Sequence, residues 1–382
     1  MNESGKAARP AGGILLRPEA GQTIAQAKQN MLARLDALDL AHCVVASNVL
    51  DTTGQAMCFS LAADQAADWA PGHDTLGLAG RLQLDTEQRG ADLTREIVLA
   101  LLMAPIPVPF PSINELVSAV AIRGNIVRAA RKTMLSFHTS QAERPSDCWT
   151  YKEDCGFVIL PGAVLATALA KATQPDVSGT LYAFSCYRAT EYVILLGIAE
   201  ELAHCHPAML RQLQALWTER PIMSGEFHEV FLREQGSMEA PLPPRYFVPG
   251  DRVWFRNPHE ASSEASGYEG SWVIYLGAGL FANFWKYQQP YTLADKCLEI
   301  FHWRNALYLD DQGQARIDES RVETLVAASR LDAAETESIL ALMQRYRDPR
   351  GVYQDGGCMD TTREFARWVQ PGTTDLLLPQ SW

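Results

Sequence analysis

The sequence lacks any CxxC pair, although its 382 residues include eight cysteines. No cysteine spacing in it is typical of a zinc ribbon, and free, mostly buried thiols are the usual state in a cytosolic chain. His204, Cys205 and His206 are adjacent in the stretch AHCHP, but neighbouring residues on a helix point in different directions. This stretch is more typical of a helix end, with Pro207 following. We therefore expect no metal and no cofactor.

Three further absences narrow the class of protein. No run of Lys or Arg occurs, and the net charge is −12, which argues against nucleic-acid binding through phosphate neutralisation. The longest apolar runs, EIVLALLMA and YVILLGIA, are too short to cross a bilayer. The first residues, MNESGKAARPAGG, have no apolar signal-peptide region and are typical of a disordered tail. We expect a cytoplasmic protein without membrane or nucleic-acid partners.

The composition is that of a globular protein, with 47% apolar and 20% charged residues. Four alternating prolines in MAPIPVPFPS exclude a helix or a central strand and mark a boundary. We predict an N-terminal α+β domain over 1–104 and a proline-rich linker over 105–111. The first domain should contain one helix, in TIAQAKQNMLARLDAL, and two strands, HCVVASNVL and QAMCFSLAA, joined by a tight turn.

The remaining chain divides into a core over 112–310 and a helical C-terminal extension over 311–382. Ser112 is a plausible N-cap for an amphipathic helix in SINELVSAVAIRGNIVRAARK. CYRATEYVILLGIAEELAHC is apolar around most of its circumference, which predicts a central helix. DRVWFRN and GSWVIYLGAGLFANFW predict three strands, the last two joined by the turn LGAG.

Cys186 is the candidate nucleophile because it stands where an extended stretch gives way to this central helix. A helix N-terminus lowers the pKa of a thiol through its unpaired N–H groups and its dipole. We therefore expect Cys186 to be accessible and to have a lowered pKa. The local sequence alone favours the alternative, a buried structural cysteine.

Several separated motifs, in order, resemble one family over residues 112 to about 305. SINELVSAVAIRGNIVRAARK is similar to the first helix of the Bacillus spore-coat protein-glutamine gamma-glutamyltransferases, and LYAFSCYRA to the segment that carries their nucleophile. Three further segments of that family are similar to FHEVFL, GDRVWFRNP and YEGSWVIYLGAGLFANFW. The resemblance implies an α+β fold with a papain-like cysteine acyltransferase core of the NlpC/P60 type. It also implies an acyl donor, an amine acceptor and a thioester on Cys186.

The chain departs from the family at three polar positions around this cysteine. Ser185 stands where the family has a glutamate before its cysteine, and Ser271 stands where it has a glutamate in G-E-N-V-I. Asn283 is the nearest match to a family histidine. The sequence therefore keeps the cysteine but replaces three of its polar partners.

Three explanations are compatible with these replacements. In the first, the base has moved to Glu269, two residues before Ser271 and on the same face of a strand, or to His228, which the family also has. In the second, the acyl donor is already activated, for example as a thioester on a small molecule or a carrier protein. In the third, catalysis is lost and the fold serves as a binding scaffold. The retained Cys186 favours an enzyme.

The other candidate residues each have a structural and a functional interpretation. Asn283 is typical of a turn, but its amide could also stabilise developing negative charge. Trp272 and Trp285 are most simply packed aromatics, but they could wall a cleft for an apolar acyl chain. We assign Cys186, Glu269, Asn283 and His228 to catalysis, and Ser185, Ser271, Trp272 and Trp285 to substrate binding.

Overall fold

The computed structural model describes residues 12–51, 54–136, 142–221, 223–286, 288–348 and 356–379. The expected N-terminal tail falls almost entirely outside them. The α-helices are α1 (Ile24–Asp36), α2 (Ala63–Trp69), α3 (Leu78–Arg81), α4 (Gly90–Leu102), α5 (Ile113–Lys132), α6 (Leu165–Thr173), α7 (Pro175–Ser178), α8 (Cys186–Cys205), α9 (Pro207–Glu219), α10 (Ser224–Phe231), α11 (Glu260–Ser263), α12 (Leu293–Trp303), α13 (Glu319–Leu331) and α14 (Ala333–Met343).

The strands are distributed among these helices along the chain. They are β1 (Ile14–Leu16), β2 (Val44–Asp51), β3 (Gly54–Leu61), β4 (Val108–Phe110), β5 (Trp149–Lys152), β6 (Gly156–Ile159), β7 (Leu232–Gln235), β8 (Arg252–Arg256), β9 (Gly270–Gly277), β10 (Leu280–Phe281), β11 (Tyr291–Thr292), β12 (Leu307–Leu309), β13 (Ala315–Ile317) and β14 (Arg363–Ala366). The predicted mixed α+β class is thus confirmed.

Two larger sheets organise the strands. The first has the order β2-β3-β1-β4 and contains the predicted β2–β3 hairpin, and its edge strand β4 lies inside the proline-rich segment. The edge position agrees with the proline content, because a proline has no N–H to donate and is therefore confined to edge strands or bulges. The second sheet is antiparallel and has the order β11-β10-β9-β8-β14-β7. Residues after 310 therefore contribute a strand, β14, to the sheet that contains β8 and β9.

The helices α5 and α8 form the centre of the core and pack closely. Gly197 of α8 permits this approach, since a Cβ there would lie 2.7 Å from Ile126 Cγ1 and 3.2 Å from the Ile122 carbonyl oxygen. Asn125 Nδ2 donates to the Gly197 carbonyl at 3.3 Å. Most of α8 from Ala189 to Leu202 is buried, as its all-round apolar sequence predicts. The start of α8 is held in place by this packing.

Polar residues of the recognised motifs hold the sheet against α5. The predicted N-cap is confirmed, because the Ser112 side chain accepts from the Glu115 N–H at 3.0 Å. The buried Glu115 carboxylate accepts from the N–H groups of Val369 and Gln370, which ties α5 to the chain after β14. Arg123 Nη1 donates to Asp251 at 2.7 Å in a buried pair just before β8.

A buried carboxylate fixes the turn between β9 and β10. Glu96 of α4 is fully buried, and its Oε1 accepts from the Ala278 N–H at 2.8 Å. A Cβ at Gly277, where φ is +85°, would lie 2.5 Å from Glu96 Oε2, so the turn needs glycine there. Burial raises the pKa of Glu96 to about 7, although the Ala278 N–H and the Arg131 charge act in the opposite direction.

Replacing Glu96 should change how stability depends on pH. Because the pKa of this acid is raised in the folded state, its contribution is fully present below the unfolded pKa of about 4.5 and is lost as pH rises through about 7. Glu96→Gln removes this ionisation. We expect its free energy of unfolding, relative to the native sequence, to rise by about 2–3 kcal/mol between pH 5 and pH 8. Urea unfolding at both pH values measures this difference.

Glu337→Gln, on the exposed face of α14, is the matched control. It removes the same charge outside the core and should leave the pH dependence of unfolding nearly unchanged. An equal pH dependence in Glu96→Gln and the native protein would contradict the account of this turn.

Candidate active site

Cys186 is the first residue of α8, as the sequence predicts. Ser185 has an extended backbone, with φ −67° and ψ 153°, and its side chain accepts from the Arg188 N–H at 3.3 Å. Ser185 is therefore the N-cap of the helix. The Cys186 side chain is half-buried, and the Trp272 backbone N–H at the start of β9 hydrogen-bonds to it. The nucleophile candidate thus lies between a helix N-terminus and a strand of the larger sheet.

The expected lowering of the Cys186 pKa is wrong. Burial raises the pKa of this thiol, and its effect exceeds that of the groups that favour the thiolate. Those groups are the Trp272 and Tyr187 N–H groups and the positive charges of Lys296 and Arg252. The helix N-terminus does favour the thiolate, but desolvation is the larger effect here.

A cavity of about 910 Å³ opens at Cys186. Its size is in the range of small-molecule sites. Five of the other seven predicted site residues line it, namely Ser185, Glu269, Ser271, Asn283 and Trp285. Sequence reasoning therefore located the cavity but not every group in it.

Ser271 and Trp272 face opposite sides of β9, as strand geometry requires. Ser271 is buried and lines the cavity. The Trp272 ring instead stacks on Trp254 at a centroid distance of 5.4 Å, with the Arg252 guanidinium 4.0 Å from it. The contribution of Trp272 to the site therefore comes from its backbone N–H.

Asn283 is buried and hydrogen-bonded within the loop that follows β10. Its Oδ1 accepts from the Trp285 N–H at 3.1 Å, and its Nδ2 donates to the Gln289 carbonyl at 3.0 Å. These bonds fix the loop that carries Trp285 into the cavity wall. Glu269 is exposed just before β9, where its Oε1 accepts from the Gly267 N–H at 3.4 Å.

His228 lies apart from this cavity. It is on α10, with Nε2 3.3 Å from Glu364 Oε1, and 42% of its side chain is exposed. The other oxygen of Glu364 accepts from Arg252 Nη1 at 2.9 Å. Among the described residues, this Glu364–Arg252 pair connects the His228 side chain to the site, and His228 does not line the cavity of Cys186.

Sequence reasoning missed Lys296, whose charge acts on Cys186. Lys296 is almost fully buried on α12, with Nζ 2.9 Å from Glu299 Oε2 and 3.6 Å from the Tyr291 ring centroid. Burial acts to lower its pKa, but the Glu299 carboxylate, with Tyr291, outweighs burial and raises the pKa above the usual lysine value. Lys296 is therefore a permanent cation beside the thiol.

The sequence held a signal for Lys296. It occupies a position of the apolar stripe of α12, three residues after Leu293 and four before Ile300, both of which are buried. A lysine in such a stripe, with Glu299 one turn later, indicates a buried ion pair.

Helix α13 forms the outer wall of the cavity. Val322 and Val326 line it. Three polar contacts connect one side of α13 to the rim of the core: Glu319 with the Tyr268 hydroxyl at 2.8 Å, Glu323 with Lys286, and Arg330 with Asp295. The cavity is thus bounded partly by residues after 310.

The charge of Lys296 should set part of the reactivity of Cys186. We expect Lys296→Met to slow iodoacetamide alkylation of Cys186 about two- to tenfold at pH 8, because loss of the cation raises the thiol pKa further. The rate is measured by mass spectrometry on the Cys186 peptide.

Lys286→Met is the control for this experiment. It removes a cavity lysine that pairs with Glu323 and is not among the charges that act on Cys186. Lys296→Arg should retain most of the native rate. Equal slowing by Lys286→Met and Lys296→Met would refute a specific role for Lys296.

Within the described residues, no group of three or more histidine, cysteine, aspartate or glutamate side chains is placed to hold a metal ion. In the same part of the chain, no helix has both the length and the apolar character that crossing a bilayer requires.

Comparison with known proteins places the chain in a family. No curated protein matches it. A solved transglutaminase from Geobacillus stearothermophilus, without its C-terminal extension, is similar to it at 20% identity over 56% of this chain and 98% of that chain, with a TM-score of 0.39. The family model for protein-glutamine gamma-glutamyltransferase matches residues 78–376, most of the sequence. The chain therefore belongs to the protein-glutamine gamma-glutamyltransferase family.

Proposed function

We propose that the protein transfers an acyl group from an activated donor, a thioester, to an amine through an acyl-Cys186 intermediate. Family membership supports amide-forming acyl transfer at the general level. The choice of donor rests on one observation, the set of groups around Cys186. The ionisable groups whose charges act on the pKa of this thiol are the cations Lys296 and Arg252. His228, the histidine that the resembled family also has, does not line the cavity among the described residues.

This environment suits a thiol leaving group better than ammonia. Ammonia leaves a carboxamide only when a proton is delivered to its nitrogen, and general acid–base help of this kind is typically worth about 10²–10⁴-fold. A thiol departs as a thiolate of much lower basicity. Ser185, Ser271 and Asn283, which line the cavity, do not supply such a proton near neutral pH.

The reaction has two steps. The Cys186 thiolate attacks the donor carbonyl, the donor thiolate leaves, and the proton lost by Cys186 ends on that thiol. The amine then attacks the Cys186 thioester, the amide forms, and the amine proton returns to Cys186. Backbone N–H groups at the start of α8 are available to the developing oxyanion.

Several residues have assigned roles in this proposal. Glu269, exposed at the cavity and without a cationic partner among the described residues, takes the proton of the amine during its attack and passes it to Cys186. Ser271 and Trp285 contact the acyl chain, together with Val322 and Val326. Asn283 positions the Trp285 loop. His228 acts at a distance, by fixing Glu364 against Arg252.

For the fold, we propose a papain-like core of the NlpC/P60 type over 112–310. What supports it is a cysteine at the start of a buried helix beside an antiparallel sheet. We also propose three segments outside this core: an N-terminal domain over 1–104, a linker over 105–111 and a C-terminal extension over 311–382. The contact of α13 with the cavity gives the extension a substrate-binding role. A cytoplasmic location and a carrier protein as donor are further parts of this proposal.

The donor class can be tested by comparing two acyl donors with the same amine acceptor. We expect a short-chain acyl thioester to be used at least about a hundredfold faster, in kcat/KM, than a glutamine donor of the casein type, because only the carboxamide needs proton delivery. Amide product is measured by mass spectrometry.

Cys186→Ala is the control, and it should abolish transfer from both donors while the protein stays folded. Rapid glutamine–lysine crosslinking by the native protein would contradict the proposal and return the protein to ordinary transglutaminase chemistry. Inactivity with both donors would favour the binding scaffold.

A further inference from the structure

The charged residues of the cavity are almost all paired. Among the described residues that line it, the basic ones are Arg144, Arg188, Lys286, Lys296 and Arg330. Four of these five have a carboxylate partner: Arg188 with Glu191, Lys286 with Glu323, Lys296 with Glu299, and Arg330 with Asp295. Within the described chain, Arg144 has no carboxylate partner. Its charge is therefore available to a ligand.

Arg144 is held in a fixed orientation by aromatic rings. Its Cζ lies 3.9 Å from the Phe184 ring centroid, 4.8 Å from that of Tyr192 and 5.0 Å from that of Phe157. Its Nε donates to the Tyr192 hydroxyl at 3.2 Å, and its Nη1 donates to the Glu143 carbonyl at 2.6 Å. Neither bond uses Nη2, which has no partner in the described part of the chain.

This guanidinium lines the same cavity as the nucleophile. The Glu143 N–H donates to the Ala183 carbonyl at 2.9 Å, so the chain before Arg144 runs along the segment that leads into α8. The ring that Arg144 covers, Phe184, is two residues before Cys186, and all three side chains line the same cavity. A group bound at Arg144 would therefore be part of a molecule whose other end reaches Cys186.

We propose that Arg144 binds an oxyanion, a carboxylate or a phosphate, on the acyl donor. This rests on the proposed function, because it specifies the donor used at the same cavity. A guanidinium that is already oriented loses little side-chain freedom when it binds an anion, and its hydrogen bonds to an anion are charge-assisted. Glu269, a cavity carboxylate without a basic partner among the described residues, remains for the cationic amine acceptor. Arg144 thus serves the anionic donor, and Glu269 serves the cationic acceptor.

The binding test uses the full chain with Cys186→Ser, so that donors bind without forming the cysteine thioester. Two donor pairs differ only in one anionic group. The first is a glutaryl thioester, which carries a free carboxylate, against the 4-carbamoylbutanoyl thioester of the same neutral thiol, in which a carboxamide replaces the carboxylate. The second is butyryl-phosphopantetheine against butyryl-pantetheine. Calorimetry at constant ionic strength should show that the anionic member of one pair binds roughly tenfold tighter or more. The pair that responds identifies the anion as carboxylate or phosphate.

Variants of Arg144 connect this preference to one side chain. Arg144→Gln should abolish the difference within the responding pair while leaving the affinity of the neutral member unchanged, which also shows that the cavity is still folded. Arg144→Lys should keep part of the difference, because it retains the charge without the planar fork. Arg211→Gln, which removes an exposed arginine of α9, is the control and should keep all of it.

Three outcomes would overturn the proposal: no binding of either anionic probe, equal binding of anionic and neutral members in both pairs, or a difference that survives Arg144→Gln. The proposed function is tested separately by turnover with Cys186 restored. An anion preference without turnover would contradict the proposed reaction but support the Arg144 site. Turnover without an anion preference would contradict the Arg144 site but support the proposed reaction.

Discussion

The contact between the first residue of α8 and the start of β9 is the interaction on which the site depends. There the Trp272 N–H hydrogen-bonds to the Cys186 thiol, so a strand and a helix N-terminus meet at one sulfur atom. Contacts away from the cavity fix both the helix and the strand. The close packing of Gly197 on Ile126 holds α8, while Glu96 at Ala278 holds the far end of β9. Residues far from the cavity therefore determine its geometry.

The chemistry follows from a balance between burial and charge at this sulfur. Burial disfavours the thiolate and prevails, but Lys296 and Arg252 oppose it. Both cations are themselves buried and paired, with Glu299 and Glu364 respectively, and the Glu299 carboxylate raises the pKa of Lys296. Such a site can stabilise negative charge, while Ser185, Ser271 and Asn283 do not deliver a proton to a departing nitrogen near neutral pH. This contrast is the physical basis for the thioester donor that we propose.

Local sequence predicted the elements whose formation is decided locally. The N-cap at Ser112, the buried helix that begins at Cys186 and the β2–β3 hairpin are each encoded by a short stretch of apolar periodicity or capping chemistry. The choice of Ser271 and Asn283 came from the family resemblance, and that of Glu269 from its position two residues before Ser271; all three line the cavity.

The missed features depend on contacts between distant segments. Lys296 lies 110 residues after Cys186, and Arg144 lies 42 residues before it. Nothing local to Cys186 in the sequence indicates that either residue lines its cavity. The sign of the Cys186 pKa shift was mispredicted because the helix N-terminus is visible in sequence, whereas the degree of burial is set by the sheet and by α12. His228 was expected near the thiol, but the fold directs it to Glu364 on β14, a strand that the sequence did not predict.

The most direct test of the central claim is the intact mass of the protein after brief incubation with an acyl thioester in the absence of amine. We predict a single acyl adduct that maps to the Cys186 peptide, disappears when amine is added and does not form in Cys186→Ala. An unmodified protein, or an adduct on another residue with Cys186 free, would contradict the account.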